Sequence, residues 1–139
     1  MPKLPQGDKV GSDMKTMFAI RGVNKVKAYY DTVMRLTGPT AVTFVREPKN
    51  TYDPNAIRID IAEGAETGKT VGYVPRELAM IISPVLDADP SALAKGKIVR
   101  CVENWGPDEN YKVPQLAVFV TAETSVILPI QDKEAHRNV

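Results

Sequence analysis

Residues 41–74, AVTFVREPKNTYDPNAIRIDIAEGAETGKTVGYV, contain the pattern that decides the fold. In the middle of this stretch, NAIRIDIA alternates three isoleucines with Arg58 and Asp60. Strict alternation of apolar and polar residues is typical of a half-buried strand. The β-rich runs AVTFVR and VGYV flank this strand, and the loop EGAETGKT separates it from the second run. We therefore predict neighbouring strands here, the last two joined as a hairpin.

The rest of the chain adds further short strands. The runs MKTMFAIRGV (14–23), KIVRCVENW (97–105) and PQLAVFVT (114–121) favour strands, and 125–130 is apolar enough for a last one. Several short strands with one or two short helices predict a small barrel or a packed β-sheet. No alternation of strands and helices occurs, so a doubly wound parallel sheet is not expected.

Two segments have helical features. In 24–39 the apolar residues recur at helical spacing, with Asn24 as a candidate cap and Gly38-Pro39 as the stop. A loop or short strand around Tyr29 and Tyr30 remains the alternative, because Tyr, Thr and Val favour strands.

Pro75 suits the first position of a second helix, RELAMIIS, which Pro84 is expected to end or bend. A further short helix is expected at 91–96. Leu78, Ile81 and Ile82 are predicted to face the core. The following methionines are also predicted to be buried: Met14, Met17, Met34 and Met80.

The composition excludes several classes of protein. The chain has 139 residues, the size of one domain, and its formal net charge is +1, unlike proteins that coat nucleic acid non-specifically. The single cysteine, Cys101, excludes a disulfide scaffold and is expected to be a buried thiol in an intracellular protein. The single histidine, His136, leaves a zinc site and a His-based triad without the necessary residues.

We predict three regions. Residues 1–13 form a flexible N-terminal lead, residues 14–122 form the β-barrel domain, and residues 123–139 form a C-terminal strand and polar tail. No apolar run reaches the roughly 18 residues that predict a membrane span. The start is polar and rich in Pro and Gly, so no secretory signal is expected.

No catalytic motif is present, so we predict a binding module rather than an enzyme. Glycine-rich phosphate loops, metal-binding helices and nucleophile elbows are all missing from the sequence. Carboxylate pairs such as Asp60 with Glu63, or Asp87 with Asp89, fit a solvated strand face and a turn. No metal ion or cofactor is expected.

The turn EPKNTYDP is unusually specific for a connecting segment. Two prolines restrict its backbone, while Asn50 and Asp53 can accept hydrogen bonds from neighbouring amides. From the residues alone, the favoured interpretation is that Asp53 only caps the turn and Tyr52 only covers the end of the barrel, and a binding role for them is the alternative. Further along, GYVPRE places Arg76 at a helix start, where a phosphate can bind or where the arginine is an ordinary surface charge.

Two motifs together resemble the HIRAN domain family. REPKNTYDPNAI (46–57), followed by VGYVPRELA (71–79), is similar to that family's pattern in residues, order and separation. The resemblance implies a mostly-β fold, a small OB-like barrel of about six strands with two short helices. It also implies a DNA-binding module that captures the free 3′-hydroxyl end of single-stranded DNA in repair or replication.

The resemblance implies roles for individual residues. Asp53 would accept a hydrogen bond from the terminal hydroxyl, Tyr52 would lie along the last nucleotide, and Arg76 would contact a phosphate. Tyr111 would stack on a base. The full implied DNA-binding set is Tyr29, Tyr30, Tyr52, Asp53, Tyr73, Arg76 and Tyr111.

The sequence departs from the family at one position. DNA-end-binding members carry Arg-Tyr-Tyr where this chain has Ala28-Tyr29-Tyr30. Lys27 or Arg21 is a candidate to replace the missing cation, although a lysine ammonium lacks the planar fork of arginine.

The expected partners are a single-stranded DNA 3′ end and an ATPase, helicase or nuclease, with no membrane. The compartment would be the cytoplasm in a prokaryote or virus, and the nucleus in a eukaryote. The alternative function is a protein-interaction module that uses Trp105 and the run SVILPI on the same barrel. An enzyme would need a polar pair in a pocket, and Asp53 with Glu77 is the candidate.

Overall fold

The computed structural model describes residues 14–104 and 115–126. Several predictions fall outside these residues: the N-terminal lead, Trp105, Tyr111 and the tail beyond residue 126. The predicted last strand at 125–130 also falls largely outside, since only its first two residues are described, in a bend.

Six strands and two α-helices make up the described chain. The strands are β1 (Met14–Ala19), β2 (Thr40–Arg46), β3 (Ile57–Ile61), β4 (Thr70–Tyr73), β5 (Leu93–Asn104) and β6 (Gln115–Thr124). The helices are α1 (Lys27–Met34) and α2 (Arg76–Ala88), and a 3-10 turn covers Pro90–Ala92. The turn occupies the start of the predicted helix at 91–96, and the rest of that segment belongs to β5.

All six strands lie in one antiparallel sheet with the order β1-β6-β5-β2-β3-β4. The two outer strands approach each other where Arg21, just after β1, bridges Tyr73 at the end of β4. Backbone hydrogen bonds of 2.8 and 2.9 Å join these two residues in both directions. The sheet therefore curls into a small OB-like barrel with two short helices, and the predicted mostly-β fold is confirmed.

The barrel interior is filled by the residues that the alternation predicts. Ile57, Ile59 and Ile61 are essentially fully buried, and Phe18 packs with them. Asp60 is also buried, although its position on the strand predicts a solvated face. The reason is an ion pair, since Arg58 on the same face holds the Asp60 carboxylate at 2.9 Å.

Helix α1 forms as predicted, but Asn24 does not cap it. The cap position is Val26, which makes no side-chain cap hydrogen bond. Asn24 instead pairs with the backbone of Leu116 in β6: its amide donates to the carbonyl and accepts from the N–H, both at 2.8 Å. The side chain thus pairs with β6 as a neighbouring strand would.

Helix α2 begins after Pro75 and continues through Pro84 to Ala88, so Pro84 does not end it. Leu78 and Ile82 are buried, as predicted. Ile81, predicted to face inward, is 38% exposed. The outer face of α2 is therefore apolar over much of its length.

The burial of three methionines and of Cys101 is predicted wrongly. Met17, Met34 and Met80 are 43–59% exposed, because the sheet and helices turn these positions outward. Cys101 is also exposed. Partial burial nevertheless raises the pKa of its thiol, so the environment does not favour a reactive thiolate. Among the described residues, no helix is both long and apolar enough to span a bilayer.

Candidate functional site

The turn between β2 and β3 is held by its own polar side chains. Asn50 accepts hydrogen bonds from the N–H groups of Tyr52 and Asp53, at 2.8 and 3.0 Å. Asp53 accepts one from the N–H of Asn55 at 2.9 Å. Such Asx turns fix a loop without regular secondary structure. The predicted hydrogen-bonding roles of Asn50 and Asp53 are confirmed.

This turn forms one wall of an open cleft of about 760 Å³. The segment after β1 and the junction of β4 with α2 form the other walls. The Arg21–Tyr73 bridge therefore joins the two segments that face the turn across the cleft. The lining residues are Arg21, Gly22, Lys25, Asn50, Tyr52, Asp53, Ala56, Tyr73, Val74, Arg76 and Glu77.

Asp53 performs two tasks with its two carboxylate oxygens. Oδ1 accepts the turn-capping bond from Asn55. Oδ2 lies 3.9 Å from the Nε of Arg76, too far for a hydrogen bond but close enough for charge attraction. The predicted capping role of Asp53 is therefore confirmed. It uses only Oδ1, so Oδ2 can still accept a hydrogen bond from a ligand in the cleft.

The two tyrosines of the cleft differ in exposure. Tyr52 is 90% exposed, so its ring is almost entirely free of protein contacts. Tyr73 is half-buried, and its hydroxyl donates to Glu47 at 2.8 Å. Burial, followed by the hydrogen bond to the Glu47 carboxylate, raises the pKa of Tyr73 well above its ordinary value. The Tyr73 side chain is therefore held in place and un-ionised at neutral pH, and it forms part of the cleft wall. The Tyr52 ring, in contrast, does not pack against the rest of the protein.

Two arginine–carboxylate pairs lie in the cleft. Arg21 lies 3.9 Å from Glu77, and Arg76 lies at the same distance from Asp53. Lys25 adds a third cation that the sequence pattern does not single out. The only sequence signal for Lys25 is its closeness to Arg21 along the chain. Glu77 and Asp53 both reach the cleft, but each faces an arginine.

The other predicted tyrosines lie elsewhere. Tyr29 is half-buried and lines a separate groove, and its ring lies beside Gly22 and within interaction range of Tyr73. Tyr30 packs against the hydrophobic core. The structure thus brings together Tyr52, Asp53, Tyr73 and Arg76 in the cleft. Tyr29 lines another groove, and Tyr30 is half-buried against the core. Tyr111 lies outside the described residues.

The missing family arginine has a candidate replacement. Ala28 lines a different groove together with Arg35 and Lys69. Lys27 pairs with Asp31 at 2.7 Å on the exposed face of α1. Arg21, in contrast, lines the cleft itself. Of the two candidates, only Arg21 lines the cleft that contains Tyr52 and Asp53.

The carboxylates that form possible acid–base pairs in the sequence, Asp60 with Glu63 and Asp87 with Asp89, all have structural partners. Arg46 joins the turn to α2, because it donates to the carbonyl of Ala56 and to Asp87, both at 2.8 Å. Asp89 caps the 3-10 turn through the N–H of Ser91. Within residues 14–104 and 115–126, no cluster of His, Cys, Asp and Glu could hold a metal ion.

Comparison with protein families identifies the chain. A family model described as the HIRAN domain matches residues 22–120. The chain belongs to the HIRAN domain family. HIRAN domains are known as DNA-binding modules, and the predicted family and DNA-binding class are confirmed at that level.

This HIRAN domain matches only a small part of the length of two curated relatives. A Fanconi-associated nuclease 1 homolog of Oryza sativa subsp. japonica is 45% identical over 47 residues, which cover 34% of this chain and 5% of the relative. A second relative, from Arabidopsis thaliana, is 30% identical over 109 residues, covering 78% of this chain and 11% of its own length. Its name is putative SWI/SNF-related matrix-associated actin-dependent regulator of chromatin subfamily A member 3-like 1.

A solved structure is also similar. The crystal structure of the HIRAN domain of human HLTF matches with a TM-score of 0.48 and 17% sequence identity. The match covers 79% of this chain and 76% of that chain.

Proposed function

We propose that this HIRAN domain binds the free 3′-hydroxyl end of single-stranded DNA, as a non-catalytic module in DNA repair or replication. The observation that carries the proposal is the state of Asp53. Its Oδ1 is occupied by the turn, while its Oδ2 faces the cleft without a hydrogen bond from the described residues. A carboxylate is an acceptor, and a terminal hydroxyl is a donor that internal nucleotides lack.

The exposed ring of Tyr52 supports a nucleotide ligand. A tyrosine that is 90% exposed contributes almost nothing to packing. Such a ring next to a hydroxyl acceptor offers a face on which a base or sugar can lie. Stacking on aromatic rings holds single strands without regard to sequence.

The cations support a phosphate near the terminal nucleotide. Arg21, Lys25 and Arg76 all line the cleft, and two of them are highly exposed, at 63% and 80%. Their long pairs with Glu77 and Asp53 are too weak to prevent a phosphate from binding instead. The chain as a whole is nearly neutral, so contact should be confined to this cleft.

We further propose that a separate enzyme uses the captured end. The relatives are named as a nuclease homolog and a SWI/SNF-related protein, and the match covers a small fraction of each. An ATPase, helicase or nuclease partner would supply the chemistry, in the intracellular setting that a DNA ligand requires.

The outer face of α2 favours a second candidate function, a protein-interaction module. Met80, Ile81 and Val85 are 59%, 38% and 37% exposed on this helix. The face adjoins the cleft, because Met80 lies in a small side cleft with Asp53 and Arg76. A partner that binds there would be placed close to a captured DNA end.

Fluorescence anisotropy with 5′-labelled single-stranded DNA tests the proposal. We expect the wild-type chain to bind a free 3′-hydroxyl strand more tightly than the same strand with a 3′-phosphate. Asp53→Asn should weaken binding of the hydroxyl end about tenfold, because an NH₂ donor replaces the acceptor Oδ2 while the remaining oxygen can still accept from Asn55. The same substitution should spare the 3′-phosphate strand.

Asp31→Asn is the matched control, since that carboxylate pairs with Lys27 on α1 and does not line the cleft. Equal loss for both ends would contradict the hydroxyl-acceptor role of Asp53. If neither strand binds the wild type, the DNA-end function is wrong and the protein-interaction function takes its place.

A further inference from the structure

Glu47, the residue after β2, lies behind the cleft and contacts three separate segments. Its Oε1 accepts a hydrogen bond from the side-chain amide of Asn50 at 3.0 Å. The same oxygen accepts one from the hydroxyl of Tyr73 at 2.8 Å. Its Oε2 accepts from Arg58 at 2.9 Å. One carboxylate therefore holds the turn, the end of β4 and the start of β3.

We propose that Glu47 is the positioning residue of the cleft, which fixes Tyr52 and Asp53 for DNA-end binding through the side chain of Asn50. This proposal rests on the proposed function. Glu47 does not itself line the cleft, and in the family motif it is only part of a turn.

The orientation of the Asn50 side-chain amide determines which groups it can hold. Asn50 Oδ1 accepts from the N–H groups of Tyr52 and Asp53, so its amide nitrogen must point the other way. Glu47 is an acceptor at that position. If the amide were reversed, its NH₂ would face two N–H donors and its oxygen would face a carboxylate, and both contacts would be repulsive. Glu47 thus selects the orientation that holds Tyr52 and Asp53.

A further ion pair holds Glu47 in turn. Arg58 donates to Asp60 from Nε and Nη2, at 3.0 and 2.9 Å, and presents Nη1 to Glu47. Thr70 donates to the same Asp60 carboxylate at 2.7 Å. The arginine is therefore fixed by residues of β3 and β4 and cannot easily move away from Glu47.

The ionised state of Glu47 is favoured by its surroundings. Burial raises the pKa of Glu47, but the hydrogen bonds from Asn50, Tyr73 and Arg58 together lower it below its ordinary value. At neutral pH the side chain is therefore a carboxylate that only accepts hydrogen bonds.

Glutamine cannot replace Glu47 without loss. If the Gln oxygen faces Asn50 and Tyr73, its NH₂ meets the donor of Arg58. If the oxygen faces Arg58, the NH₂ meets the amide donor of Asn50. Either way one pair of donors faces each other, although the side chain keeps its size.

The first experiment measures amide hydrogen exchange in the free protein by NMR. In Glu47→Gln we expect the N–H groups of Tyr52 and Asp53 to exchange about tenfold faster, since their acceptor is released. Glu66→Gln is the matched control, because Glu66 accepts from Arg35 and Lys69 outside the cleft. Unchanged exchange at both amides in Glu47→Gln would overturn the proposal, whether or not the protein binds DNA.

The second experiment is a double-mutant cycle with 3′-hydroxyl single-stranded DNA as the probe. Glu47→Gln should weaken binding about tenfold, and adding it to Asn50→Ala should cause little further loss, because Glu47 acts through Asn50. Additive losses, or wild-type affinity in Glu47→Gln, would overturn the proposal. Absence of binding by the wild type would instead reject the DNA-end function and leave the exchange experiment to decide the role of Glu47.

Discussion

At the scale of single residues, the cleft shows how one side chain can serve both the fold and a ligand. The capping role of Asp53 and its proposed ligand role use different oxygens, since Oδ1 binds Asn55 and Oδ2 faces the cleft. The sequence pattern presents these roles as competing interpretations. The geometry makes them compatible, because a carboxylate has two oxygens and the turn occupies only one.

Tyr52 allows stability and binding to be separated. Because its side chain is 90% exposed, Tyr52→Ala should change the free energy of unfolding by less than about 0.5 kcal/mol. If the ring stacks on the terminal nucleotide, DNA binding should weaken by about 1–3 kcal/mol. Thermal melting and anisotropy on the same variant check both values. Tyr52→Phe is the control and should bind nearly as the wild type does. Unchanged affinity in Tyr52→Ala would remove the ring from the site.

At the scale of elements, the closure of the barrel and the shape of the cleft depend on the same contact. The Arg21–Tyr73 bridge joins the segment after β1 to the end of β4, and both residues line the cleft. Gly72, next to Tyr73, makes this close approach possible. Its φ is +150°, and a Cβ there would lie 2.3 Å from Ile20 Cγ2 and 2.5 Å from the carbonyl oxygen of Arg21.

Gly72→Ala should therefore destabilise the fold by about 1–3 kcal/mol, because the backbone oxygen of Arg21 cannot move without disturbing the bridge. Thermal or urea unfolding measures the change. Gly38→Ala is a suitable control, since a Cβ at Gly38 meets nothing within 4 Å. A Gly72→Ala variant as stable as the wild type would show that β1 and β4 separate easily at this point.

At the scale of the whole molecule, a net charge of +1 limits how DNA can be held. The described cleft has three cations, Arg21, Lys25 and Arg76. If each contacts one phosphate, the logarithm of the binding constant should fall with the logarithm of salt concentration with a slope of about −2. Anisotropy at several salt concentrations measures this slope. A slope near zero would exclude phosphate contacts, and a slope beyond about −5 would indicate general coating of DNA rather than binding in one cleft.

Features that depend on near neighbours along the chain could be predicted from the sequence. Alternation placed Ile57, Ile59 and Ile61 inside, and Pro75 marked the start of α2. The turn containing Asn50 and Asp53 was predictable, because Asx turns form between residues two or three positions apart. Each HIRAN motif is likewise a continuous run of residues, so both could be recognised in the sequence. The family and the mostly-β fold were predicted from these two motifs.

Features that depend on contacts between distant residues could not be predicted in this way and follow from the folded structure. Asn24 binds Leu116 rather than capping α1, because β6 offers it an unpaired backbone position 92 residues away. Arg21 lines the cleft because the segment after β1 meets the end of β4 there. Glu47 receives donors from β3 and β4 as well as from its own turn. Such contacts follow from how the sheet curls, and local patterns carry no information about which strands the curl brings together.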